Sequence, residues 1–147
     1  MKDDIYFSIK DNTASINLTV TDYKYDYDKE IDEYVKTDAL ECYYNYSDND
    51  GFGSVESEVS LEDIVEFARL FSRLMNNEIN EFIITSKLFI CEITAQGEKH
   101  RIDFKISDGI GMEWITVVRE GLSRLELEAL ANAVITWAKE FSIQSNS

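Results

Sequence analysis

Residues 60–75, SLEDIVEFARLFSRLM, decide how the rest of the chain is read. Leu61, Ile64, Val65, Ala68, Phe71, Leu74 and Met75 recur at helical spacing and give one apolar stripe. Ser60 stands where a cap belongs, with Asp63 three residues on in a capping-box-like start. Glu62, Asp63 and Glu66 favour the positive end of the helix dipole, and Arg69 and Arg73 its negative half. A helix here separates two stretches that both alternate with a period of two.

Upstream, residues 5–10 (IYFSIK) and 14–21 (ASINLTVT) read as strands joined by the turn residues DNTA. Ile16, Leu18 and Val20 share one face. Beyond Thr21 the parity flips, because the bulky residues become Tyr23, Tyr25 and Tyr27. A bulge near Asp22, or a strand leaving its sheet there, accounts for the switch. Residues 28–38 (DKEIDEYVKTD) read as an acidic connection anchored by Ile31, Tyr34 and Val35. A third strand, ALECYYNYS, sets Leu40, Cys42, Tyr44 and Tyr46 in phase. After a turn at 48–54, VESEV (55–59) completes a hairpin with one wet face.

Downstream the plan returns. Strands are predicted at 81–86, 88–95, 100–107 and 112–118, with turns at QGEK and DGIG. Ser123 to Glu126 forms an S-x-x-E capping box. The helix it opens should bury Leu127, Leu130, Ala131, Val134, Trp137, Ala138 and Phe141, and the tail SIQSNS should fray. The expectation is an α+β fold, antiparallel β-sheet with two amphipathic helices in the order ββββαββββα. One domain over residues 1–147 fits the length, and the repeated order suggests a duplication of 1–76 in 77–147.

The net charge is −15, and it is uneven. Residues 1–59 carry 15 acids and 5 bases, and residues 60–147 carry 14 acids and 9 bases. Such a field repels nucleic acid and anionic membranes and attracts cationic surfaces. The expected partner is therefore a basic protein, with no nucleic acid and no membrane, for a monomer or weak homodimer. The N-terminus has no secretion-type apolar segment, and Cys42 and Cys91 stand alone among strand residues, so a reducing cytoplasm is expected.

Catalytic constellations are sparse. His100 is the single histidine and cannot build a His-rich metal site. Cys42 has no base beside it in sequence. SDNDGFG resembles a calcium loop, but with Gly51 in the sixth place the twelfth is Ser57 instead of Glu. Neither GFG nor GIG has the context of a phosphate loop. A non-enzymatic protein without metal or cofactor is expected, and a site assembled from dispersed acids is the enzymatic rival. The densest feature is TDYKYDYDKEIDEY (21–34). Its residues Tyr23, Tyr25, Asp26, Tyr27, Asp28, Glu30, Asp32, Glu33 and Tyr34 are the candidate partner-binding set, since interfaces enrich tyrosine and carboxylates capture Lys and Arg.

Residues 40–71 carry a resemblance. LEC in a strand, GFGS in a turn and SLEDIVEFARLF opening a helix resemble the WapI-type immunity family of bacteria, through Leu40, Cys42, Gly51, Phe52, Gly53, Ser54, Glu62, Asp63, Ile64 and Phe67. YKYDY upstream also fits, while 28–38 is a longer acidic insertion. The resemblance implies a small acidic protein that neutralises a toxin domain by direct binding. A structural or regulatory self-associating subunit is the alternative.

Overall fold

The computed structural model describes residues 4–107 and 114–145. Strands β1 (Tyr6–Lys10), β2 (Ser15–Asp28), β3 (Glu33–Asp48) and β4 (Gly51–Ser60) form one antiparallel sheet in sequential order. Helix α1 (Leu61–Met75) follows. Strands β5 (Phe82–Thr85), β6 (Phe89–Gln96), β7 (Lys99–Ile106) and β8 (Ile115–Leu122) form a second antiparallel sheet, and α2 (Arg124–Ser145) closes the chain. The order is ββββαββββα, as the alternation and the two helical stripes predict. The predicted DGIG turn, the first residues of the predicted strand at 112–118 and the last two tail residues lie outside the described residues.

Each helix is started by its own sequence. Ser60 accepts a hydrogen bond from the Asp63 amide at 3.1 Å. Ser123 and Glu126 close the capping box reciprocally: the Glu126 amide reaches the Ser123 hydroxyl at 3.2 Å, and the Ser123 amide reaches Glu126 Oε1 at 3.3 Å. All seven residues assigned to the buried side of α2 are buried. On α1, Val65 is exposed, and Phe67 is fully buried in the core although the stripe omitted it.

The core is largely aromatic. The Phe7 ring lies 5.0 Å from Phe104 and 5.7 Å from Phe67, and Phe67 lies 4.9 Å from Phe89. Phe7 comes from the first sheet, Phe89 and Phe104 from the second, and Phe67 from α1, so this cluster joins both halves. Removing one such ring costs about 3–5 kcal/mol. Trp137 Nε1 and Thr19 Oγ1 both donate to the Ile5 carbonyl, at 3.1 and 2.7 Å. Thr19, buried by its packing, is thereby satisfied.

Asp11, in the turn before β2, ties the sheets together at β1 and β8. It accepts from the amides of Thr13 (2.7 Å), Ala14 (2.9 Å) and, across the sheets, Val118 (2.9 Å). Val118 belongs to an edge strand, and the carboxylate covers an amide that would otherwise await another strand. Cys42 and Cys91 are buried free thiols. No helix among the described residues is long and apolar enough to cross a membrane.

One element differs from expectation. Residues 28–38 are not an anchored connection: β2 runs to Asp28, a turn spans 29–32, and β3 begins at Glu33. Ile31, Tyr34 and Val35 are exposed and anchor nothing. Two shifts of register, at Val20/Asp22 and at Tyr23/Tyr25, let both strands continue past the sheet as a two-stranded ribbon. Acid density had suggested a loop, but cross-strand pairing of tyrosines sustains strand geometry.

Candidate functional surfaces

Two register shifts, at Val20/Asp22 and at Tyr23/Tyr25, sort the tyrosines of the opening ribbon. Tyr23 turns inward, only 3% exposed, with its ring edge-on to Phe141 at 5.2 Å. Its hydroxyl donates to the Phe141 carbonyl, and Lys36 Nζ lies 4.3 Å from its ring centroid. Burial raises its pKa, helped by Tyr25, Asp22 and Glu140, so the hydroxyl remains a donor. Tyr23 is a core residue and is corrected out of the partner-binding set.

The remaining members are on the ribbon and are divided between its faces. Tyr25 pairs with Lys36 and Tyr27 with Tyr34, on one side. Asp26 pairs with Val35 and Asp28 with Glu33, on the other. The Tyr27 and Tyr34 rings lie 5.4 Å apart, and the Tyr27 hydroxyl donates to Asp32. Glu30 and Asp32 occupy the turn, where Asp32 takes a left-handed φ of 55°, a conformation aspartate tolerates better than most residues. One ribbon thus presents an aromatic face and an acidic face.

A cleft of about 990 Å³ is lined by residues of β2, β3 and β4, the start of α1 and the β5–β6 turn. Glu41, Glu56, Glu58 and Asp63 line it, with Lys24 and Lys87. Lys24 is held by Glu58 at 2.5 Å. Cys42 also borders the cleft, but burial, helped by Glu58, pushes its thiol up to about 12. Such a thiol supplies no thiolate near neutral pH. His100 Nε2 faces the Asn80 carbonyl at 3.2 Å, at the sheet end. Among the described residues no group of three or more His, Cys, Asp or Glu side chains could hold a metal ion.

Sequence reasoning missed a different surface. Along β7 the odd residues Lys99, Arg101, Asp103 and Lys105 point away from the core, because Ile102, Phe104 and Ile106 point into it. Across the pairing, Lys105 stands opposite Ile90 and Thr116, and Arg101 opposite Thr94. Ile83 is 58% exposed on neighbouring β5, opposite Glu92. Trp114, 43% exposed, precedes β8 in the outward parity of Thr116 and Val118, at the Lys105 end. Three cations here face Glu92, Asp103 and Glu120, with Arg101 paired to Glu120 at 3.2 Å. The outer face of the second sheet is therefore charge-balanced on a chain of net charge −15. The signal was present in KHRIDFK (99–105), whose alternate residues are mostly basic.

No family model and no curated protein sequence matches the chain. Solved structures do. The plant transcriptional regulator PBF-2 is similar in fold at a TM-score of 0.50 and 9% identity, over 100% of this chain and 90% of that one. WHY1 from Arabidopsis thaliana gives 0.49 and 9% over 94% and 90%, and WHY3 from the same plant gives 0.49 and 10% over 100% and 95%. The end-to-end likeness is to a transcriptional regulator, and it corrects the functional expectation. The immunity and toxin–antitoxin reading is withdrawn, together with the basic toxin partner and the exclusion of nucleic acid. The physical reason for the error is one of scale. Net charge is a sum over the molecule, whereas contact is made by one face.

Proposed function

We propose that this chain is a non-enzymatic regulatory domain that contacts single-stranded nucleic acid on the outer face of its second sheet. The observation that carries the reading is the row Lys99, Arg101 and Lys105 beside the exposed Trp114. Alternate residues on a strand stand roughly 7 Å apart, so Lys99 and Arg101 are one such step apart and Lys105 lies two steps beyond Arg101, past Asp103; the three cations can follow a strand's phosphates while an indole stacks on a base. The fold shared with a transcriptional regulator supports the same reading. A single strand suits this chain better than a duplex, whose denser charge a molecule of net charge −15 would repel more strongly. The buried thiols, with burial raising the pKa of both Cys42 and Cys91, support a role without bond-making groups.

Fluorescence polarisation of a labelled oligothymidylate, titrated with the full chain, tests it. Saturable binding is expected, weakened about 5- to 100-fold by Trp114→Ala, the loss of one stacked base. Lys99→Glu with Lys105→Glu should abolish it. With three cations engaged, the logarithm of affinity should fall with the logarithm of salt at a slope of about −2. Binding indifferent to all three substitutions would overturn the assignment, as would no binding at any salt.

A further inference from the structure

The outer face of the second sheet carries one costly pairing. Across its middle lie Ile83 on β5, Glu92 on β6, Asp103 on β7 and Val118 on β8, each the partner of the next. Glu92 and Asp103 therefore stand directly opposite one another, and like charges so placed destabilise a sheet. The cations on either side of Asp103 have neutral partners on β6, Lys105 opposite Ile90 and Arg101 opposite Thr94. Stability alone would gain more from setting those acids opposite those bases.

Neither carboxylate is spent on the fold. Arg101 turns to Glu120 at 3.2 Å instead of to Asp103. Among the described residues, Glu92 and Asp103 accept no hydrogen bond and form no ion pair, and Lys105 is unpaired as well. Glu92 is exposed and Asp103 half-buried. Their acceptor oxygens stay open on the face to which the cation row and Trp114 belong.

On a surface that holds single-stranded nucleic acid, paired carboxylates repel a phosphate and leave their place to a base. A carboxylate accepts and does not donate, so the base it favours offers adjacent N–H donors. In a single strand the Watson–Crick edge is free to be read. Guanine presents there its N1–H beside the N2 amine, with O6 as an acceptor next to them. Cytosine and adenine offer one amine beside a ring acceptor, and thymine sets its N–H between two carbonyls. We propose that the Glu92–Asp103 pair selects guanine. Asp103 accepts from N1–H and the N2 amine, Glu92 is a second acceptor for that amine, and Lys105, the next outward residue along β7, donates to O6. Ile83 and Val118 give the base apolar borders at the ends of the row. The bound donors relieve the repulsion within the pair, so a pairing that costs the free protein stability favours the complex. Base selection of this kind rests on the functional reading above and deepens it.

Fluorescence polarisation with the full chain at fixed salt tests it, on labelled oligothymidylate with and without one central guanine. The wild type should bind the guanine-bearing strand about 5- to 150-fold more tightly, the discrimination of one bidentate contact. Hypoxanthine in place of guanine keeps O6 and N1–H but lacks the amine, and should lose most of that gain. Glu92→Gln with Asp103→Asn should tighten binding of plain oligothymidylate, because repulsion of phosphate falls. The preference for guanine should vanish in the same variant, since an amide can donate to thymine as well as accept. Carboxylates that merely repelled phosphate would let both strands gain alike with the preference intact, and that result overturns base selection. A wild type with equal affinity for both strands also overturns it and leaves the functional reading standing. Failure of every oligonucleotide to bind sinks the functional reading, and base selection with it.

Discussion

Tyr23, Tyr25 and Tyr27 are chemically identical and two residues apart, yet only Tyr23 is buried: the register shift at Val20/Asp22 brings it to the inward face, and the second shift at Tyr23/Tyr25 carries the strand past the core before Tyr25 and Tyr27. Tyr23→Phe removes a hydroxyl from the Phe141 carbonyl and should cost about 1 kcal/mol. Tyr23→Ala also leaves a cavity and should cost about 3–5 kcal/mol. Tyr25→Ala and Tyr27→Ala, on the exposed ribbon, should fall within about 0.5 kcal/mol of wild type. Urea denaturation of the four variants checks the ordering, and equal losses at all three positions would contradict the parity switch.

Asp11 is the other decisive side chain. Burial raises its pKa, but hydrogen bonds from the Thr13 amide, the Val118 amide, the Thr13 hydroxyl and the Ala14 amide outweigh it, holding the carboxyl at about 2, below its ordinary value of 3.8. The folded pKa is depressed, so the carboxylate stabilises the fold above its unfolded pKa. That contribution is present in full above about pH 4 and is lost as pH falls through about 2. Asp11→Asn should destabilise at neutral pH by about 1–3 kcal/mol, since its amide cannot replace every acceptor contact. The gap between variant and wild type should narrow from pH 4 to pH 2. A gap that stays constant with pH would show that ionised Asp11 is not the tie between β1 and β8.

At the scale of elements, the helices test the simplest signals. Ser123→Ala should cost α2 about 1 kcal/mol by removing the cap to Glu126 and should lower the midpoint of thermal unfolding. Ser123→Asp, which keeps an acceptor, should recover most of it. An alanine variant as stable as wild type would show that packing alone sets the start of α2. These helices and the strand order were legible in the sequence because caps and periodicities are local. The buried side of α2 was readable but for Ala133, and the bulge was readable from the shift of Val20 to Tyr23. Residues 33–38 were not, because their strand geometry comes from pairing with 23–28, a tertiary partner that acid-rich composition conceals. The cation row escaped for the opposite reason. Its alternation is written in 99–105, but a sum of charges over the chain averages it away.

The whole molecule carries its charge in a polarised way. The first half holds a net −10 and the second −5, and the ribbon's acids belong to the first half while the β7 row belongs to the second. Self-repulsion of this size opposes the compact state, and salt screens it over a Debye length of about 10 Å at 0.1 M. The ion pairs that salt would weaken, such as Lys24–Glu58 and Arg119–Glu126, are all partly exposed and contribute little each. The fold should therefore become more stable as salt rises. A gain of about 1 kcal/mol would lift the unfolding midpoint by about 2–4 °C in a domain of this size. Docking of nucleic acid on the outer face of the second sheet depends on attraction between opposite charges and should weaken over the same range. Thermal unfolding and oligothymidylate polarisation in parallel salt series should thus move in opposite directions. If both rose together, apolar contact would dominate the interface and the charge row of β7 would have no part in it. If both fell, the exposed ion pairs would outweigh the net repulsion, and the acidity of the chain would be a poor guide to its energetics.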